Sequence, residues 1–145
     1  MHHVAIMKKN WKLIPKILSG EKTIESRWYK NRIAPWNKVK KHDTIFFKNS
    51  GEPIIAVATV SEVLQFENLN QPQFQKIMRK YADKICLNTC EYNEYFKSKN
   101  YAILIFLKDP RKIDKPIHID KKGYGISSAW LCVENIEKIQ KIEKK

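Results

Sequence analysis

The sequence predicts an α+β fold, a small mixed or closed sheet with helices packed outside it. Three observations lead there. The elements run strand, helix, strand, hairpin, helices, strand, short strand, helix, without the regular alternation of a doubly wound sheet. The longest apolar runs, residues 54–60 and 101–107, are seven residues each. That is strand length, well short of the ~20 residues that span a bilayer. Finally, 145 residues with 43% apolar side chains suffice for one core but not comfortably for two, so residues 1–145 read as one domain.

Each element has its own signal. Residues 3–7 read as a short first strand. Trp11, Ile14, Ile17 and Leu18 recur at helical spacing, and Gly20 follows as a stop. With Asn10 as N-cap, Pro15 falls in the first turn, where proline is tolerated. Residues 22–27 read as extended, with Lys22, Ile24 and Ser26 on one face and Thr23, Glu25 and Arg27 on the other. Residues 44–48 and 54–64 form a hairpin about the turn signal at 49–53. Residues 72–81 are helical, with Phe74, Ile77, Met78 and Tyr81 on one stripe. A further helical turn is expected at 91–97, a buried strand at 101–108 and a short strand at 117–119. An amphipathic helix closes the chain at 134–142, with Ile136 and Ile139 on one face.

The formal net charge is +13, from 28 basic and 15 acidic side chains. Its distribution says more than its total. Residues 1–50 carry a net +9, residues 51–100 zero and residues 101–145 +4. An AT-rich codon bias would spread lysine evenly, whereas this clustering matches a positive surface that meets phosphates. The N-terminus lacks the apolar stretch and cleavage site of a secretory signal, and Asn-x-Ser/Thr is absent. Three cysteines, an odd number, do not form a disulfide framework. These features predict a cytoplasmic protein without a membrane partner.

The densest group of recognition-type residues runs from Gly20 to Tyr29. Glu25 and Arg27 share a strand face, so the carboxylate can hold the guanidinium in one direction, suited to a phosphate or a base edge. Ser26 adds a hydroxyl. Trp28 and Tyr29 offer flat surfaces for an unpaired base. The alternative is a surface salt bridge beside two core aromatics.

Residues 17–27, Ile-Leu-Ser-Gly-Glu-Lys-Thr-Ile-Glu-Ser-Arg, resemble the signature of ASCH domains, Gly-x-Lys-x-x-Glu-x-Arg after a short helix. The resemblance continues through Trp36, Val39, residues 42–47 and the apolar strand at 55–63. His42 stands where a turn glycine often precedes Asp. The resemblance implies a PUA-like β-barrel with helices around it, a cleft near the signature, and a link to RNA. Some small members deacylate N4-acylated cytidine with a catalytic group that includes the signature lysine, a threonine three residues later and a distant glutamate. Here Lys22 matches the lysine, but Glu25 stands three residues on, and Thr23 sits beside Lys22.

A second cluster, Lys121, Lys122, Gly123, Tyr124, Gly125 and, further on, Trp130, combines paired ammonium groups with two flat rings. It reads either as a second wall for an RNA site or as a surface loop anchored by Trp130. It is no P-loop, because no Gly-Lys-Ser/Thr follows a four-residue spacer. Cys86, Cys90 and Cys132 read as buried free thiols rather than zinc ligands, since Cys-x-x-Cys is missing and no His lies nearby. His42 reads as an exposed turn residue and His118 as structural. No cofactor or metal is expected.

The leading expectation is a non-enzymatic RNA-binding module with a basic cleft for a single-stranded or modified nucleotide. Its contacts would come from Lys22, Glu25, Ser26, Arg27, Trp28, Tyr29, Lys121, Lys122, Tyr124 and Trp130. The alternatives are a nucleoside-directed amidohydrolase using Lys22 and Glu25, and a protein-interaction module with an incidental basic surface. Oligomeric state stays open.

Overall fold

A computed structural model describes residues 1–86, 98–125 and 128–141. Six strands make one mixed sheet: β1 (His2–Met7), β2 (Ile24–Tyr29), β3 (Thr44–Asn49), β4 (Ile54–Phe66), β5 (Tyr101–Ile117) and β6 (Trp130–Val133). Their order across the sheet is β2-β5-β4-β3-β1-β6. β1 and β3 run parallel, and every other pair is antiparallel. The sheet curls into a half-barrel whose edge strand β2 faces the β1–β6 edge.

Period-two alternation sets the layers. On β5, Ile103 and Ile105 face the half-barrel interior, while Ala102 and Leu104 face outward. The interior also takes Ala5, Ile45, Phe47, Ala58 and Val60, and helix α1 (Leu13–Ser19) plugs one end with Leu13, Ile14 and Ile17. Outside, helix α2 (Gln71–Ile85) lays Phe74, Ile77, Met78 and Ile85 against Ile24, Trp28 and Leu104. A third apolar layer joins Val4, Ile54, Ile119, Leu131, Val133, Ile136 and Ile139 on the outer face of β1, β3 and β6. The Asn70 side chain caps α2 by accepting from the Gln73 amide at 2.9 Å.

Most expected elements appear, with instructive shifts. The first helix starts later, because residues 9–11 form a 3-10 turn and left-handed Lys12, not Asn10, is the N-cap. Pro15 still falls in the first turn, and Gly20, at φ 84°, closes the helix in the left-handed region that glycine accepts freely. The extended run begins at Ile24, two residues beyond the expected start. The strands expected at 101–108 and 117–119 are largely one, since β5 continues to Ile117 along β4, and Ile119 makes only an isolated bridge to Gln140. The closing helix is a single 3-10 turn, Ile136–Lys138, although Ile136 and Ile139 are buried together as expected. β6 was not foreseen: its four residues sit inside what reads as a loop. The helical turn at 91–97, Cys90, and part of the loop after Gly125 lie outside the described residues.

Candidate nucleotide-binding cleft

The curled sheet leaves a seam between β2 and the β1–β6 edge, and a cleft of about 180 Å³ opens there. β2 supplies Glu25, Ser26, Arg27, Trp28 and Tyr29. Across the seam stand Ile6 and Met7 of β1, then Lys8, Trp11 and Leu13, with Ala129 ahead of β6.

Arg27 spans the seam. Its Nη1 donates to the Ala129 carbonyl at 3.2 Å, and its Nη2 to the Ile6 carbonyl at 3.4 Å and to Glu25 Oε2 at 3.3 Å. The guanidinium lies 5.1 Å from the Trp130 ring centroid, a cation–π distance. The expected Glu25–Arg27 pair is therefore present, on the face that alternation assigned. Burial acts to lower the Arg27 pKa, but Glu25 and then Tyr29 outweigh it and hold the group above its ordinary value. Arg27 stays a fixed cation at any physiological pH.

Lys22 completes a three-residue charge chain in a way that alternation did not anticipate. It precedes the strand, so the face rule does not govern it. Its side chain is 1% exposed. Its Nζ donates to the Ile24 carbonyl at 2.7 Å and the Ile85 carbonyl at 2.6 Å, and lies 3.5 Å from Glu25 Oε1. Burial pushes the ammonium below the ordinary lysine value, and the Glu25 carboxylate opposes that shift. Lys22 thus ties the end of α2 to β2 and sits behind Glu25, outside the cleft lining. One carboxylate between two cations leaves the cleft with a positive excess, complementary to an anion or an acceptor-rich ring.

The aromatic expectations need correction. Trp28, 4% exposed, points away from the seam and meets Phe74 of α2 edge-on, at 5.5 Å between centroids. It is a core residue, because even-numbered positions of β2 face the helix. Trp130, also 4% exposed, belongs to β6; its Nε1 donates to His3 Nδ1 at 3.1 Å, and its ring backs Arg27. Neither offers an open face to a base. Tyr29 does line the cleft, half-buried.

The residues missed by sequence are Lys8 and Trp11. The Lys8 ammonium stands 4.6 Å from the Trp11 ring centroid at the mouth of the cleft. The available signal was a tryptophan two residues after a lysine pair in the most basic third of the chain, but Trp11 also fitted the helical stripe. In the second cluster, Lys121 Nζ donates to the Ser128 carbonyl at 2.8 Å, while Lys122 and Tyr124 are exposed and outside the cleft lining. His42 is an exposed turn residue as expected. Cys86 and Cys132 are partly buried free thiols, and burial raises both above the ordinary thiol value.

No family model matches the sequence, and no curated protein matches it either. Solved structures do. The chain is similar to ASCH from Zymomonas mobilis, with a TM-score of 0.69 at 19% identity over 94% of this chain and 90% of that one. A tyrosine-to-phenylalanine variant of that protein gives 0.70 at 19% identity, covering 94% and 93%. A serine-to-alanine variant gives 0.70 at 20% identity, covering 94% and 91%. The chain therefore has the small α+β, PUA-like fold of these ASCH structures.

Proposed function

We propose that this ASCH-type domain is a non-enzymatic RNA-binding module that takes one unpaired or modified nucleotide of a single strand into the seam cleft. The observation that carries this reading is Arg27. It is a permanent cation, aimed by Glu25 and two backbone carbonyls, and set in a cleft that also holds Tyr29, Trp11 and Lys8. Such a group recognises a phosphate or a base edge through directed hydrogen bonds. The +9 charge of residues 1–50 supplies the long-range attraction. The ASCH-domain fold agrees with an RNA-related role.

Catalysis by Lys22 is the weaker reading. A nucleophilic or basic lysine needs a free amine at the substrate, whereas this one is saturated by two carbonyls and a carboxylate behind the cleft wall. Turnover of an acylated cytidine is accordingly expected to be negligible. Robust hydrolysis abolished by Lys22→Ala would overturn the non-enzymatic reading.

The deciding experiment is titration of a fluorescent single-stranded RNA at several salt concentrations. Binding should weaken steeply as salt rises, because each phosphate contact releases counterions. Arg27→Ala should weaken it by about 1.5–3 kcal/mol, roughly one to two decades. Lys40→Ala, an exposed lysine among several, should lose far less. Salt-indifferent binding, or an Arg27→Ala protein that melts earlier yet binds as before, would remove the cleft from the account.

A further inference from the structure

A second recess lies on the same face of the sheet as the seam cleft. Arg27 and Gln65 pair with the same residue, Ile103, from opposite sides of β5. Residues in register point to one face, so the two positions stand two strand spacings apart, about 10 Å. At Gln65 the segment that follows β2 lies against the end of β4 and bounds a cavity of about 260 Å³. Val39 and Val63 give it apolar surface, and Lys40 and Lys41 line it as exposed side chains. Glu62 lines it too, but its carboxylate accepts from the Val63 amide at 3.3 Å.

The recess contains a pair of side-chain amides whose orientation is fixed. The Asn37 backbone N–H can only donate, and it meets Gln65 Oε1 at 2.7 Å. Gln65 Nε2 is thereby left to donate to Asn37 Oδ1 at 2.8 Å. Both protons of Asn37 Nδ2 and one lone pair of Oδ1 remain without a partner among the described residues. A donor beside an acceptor, held in one orientation, pairs with a base edge through two hydrogen bonds. The way from the seam cleft to this amide is lined with half-buried rings. Tyr29 pairs with Tyr101, the Trp36 ring meets Tyr101 edge-on at 5.0 Å, and the Arg32 guanidinium lies 5.5 Å from the Tyr101 centroid. Residues 30–41 carry five basic side chains and no acidic one. Rings interleaved with cations make a surface that a single strand follows.

We propose that Asn37 and Gln65 form a second base subsite, in which the Asn37 amide pairs with the edge of an adenine on the RNA strand whose other nucleotide occupies the seam cleft. The RNA partner rests on the function proposed above; the subsite adds which base is selected. Adenine alone among the four bases sets a donor beside an acceptor on both its Watson–Crick and its Hoogsteen edge, through its 6-amino group with N1 or N7. Val39 and Val63 supply an apolar floor for the ring. Lys40 and Lys41 share the phosphate, so neither lysine is needed alone.

The test uses two fluorescent single-stranded RNA oligomers of equal length. One is built of adenosine and the other of purine riboside, which keeps the ring and lacks the 6-amino group. Wild type should bind the adenosine oligomer roughly tenfold more tightly. Asn37→Gly removes the side-chain amide but keeps the backbone N–H to Gln65 and accepts the left-handed φ of 57° at this position. With folding checked by thermal melts, it should bind both oligomers alike. Arg27→Ala should weaken binding to both and keep the preference. Equal binding by wild type, or a preference that survives Asn37→Gly, overturns the subsite, and the cleft reading stands if both oligomers still bind with steep salt dependence. If wild type binds neither oligomer, the cleft reading falls, and NMR titration with adenosine monophosphate judges the subsite alone. Saturable shifts of the Asn37 side-chain amide signals then support it, and unmoved signals overturn it.

Discussion

Lys22 and Lys48 are both buried lysines, and they have opposite surroundings. Around Lys22 every direction is answered: two carbonyls accept from the ammonium and Glu25 balances its charge. Around Lys48 the stem is covered by strand neighbours Ile6 and Ile54, and its side chain makes no hydrogen bond or ion pair among the described residues, because its ammonium opens to solvent. A buried cation surrounded by acceptors is part of the fold. A lysine that covers only its stem and turns its ammonium to water keeps its hydration instead. The distinction turns on where the ammonium ends rather than on how much of the stem is covered, and it assigns the signature lysine to the fold.

The sharpest way to break this comparison is to remove Lys22. Lys22→Met leaves Glu25 with one cation and two buried carbonyls without their donor, so it should cost about 3–5 kcal/mol of stability, read by urea unfolding. A loss below about 1 kcal/mol would mean that Lys22 holds nothing together. Lys48→Met should move stability the other way, because it removes a charge that burial disfavours and keeps the apolar stem. An increase of about 1 kcal/mol, or roughly 3 °C in melting temperature, is expected. A fall instead would show that Lys48 has an acceptor in the folded protein.

His3 supplies a smaller effect that sharpens the same contrast. It is fully buried, accepts from the donor-only Trp130 Nε1 at Nδ1, and so carries its own proton on Nε2, facing Asp43 Oδ2 at 2.8 Å. Like Lys22 it is fully partnered, but in its neutral form. Burial lowers its pKa from the usual 6.5, and the Asp43 hydrogen bond only partly offsets this. The unfolded chain therefore binds the extra proton first as pH falls. This contribution to stability is complete above about pH 6.5 and is lost as pH falls towards the lowered folded value. Melting temperatures recorded from pH 7.5 down to 5 should show the decline, and His3→Gln should flatten it. An unchanged slope in that variant would assign the decline to other groups.

What sequence could reveal here follows the range of each interaction. The Glu25–Arg27 pair was legible because both partners sit two residues apart on one strand. The α2 stripe and the β3–β4 hairpin were legible for the same local reason. Arg27 bonding to the Ala129 carbonyl, 102 positions away, has no local signature. Neither has Lys22 bonding to the Ile85 carbonyl. Trp28 and Tyr29 looked alike as a pair of rings, yet strand alternation sends one to the helix and the other to the cleft. Which face was which depended on where α2 packs. β6 escaped notice because four residues between loops carry too little pattern, and its apolar side chains meet strands from the other end of the sequence.

The long β4–β5 ladder has a mechanical consequence. β2 reaches the rest of the sheet only through β5. The β4–β5 register slips at three places, between Ile54 and Ala56, Val57 and Thr59, and Val60 and Glu62. Each slip bends the ribbon and increases its coil. The gap that Arg27 spans is thus a calliper whose jaws are β2 and β1 and whose spring is the kinked back of the half-barrel, which contributes no residue to the cleft lining. Changing the number of residues at one slip would reset the jaw spacing without touching a single residue that lines it.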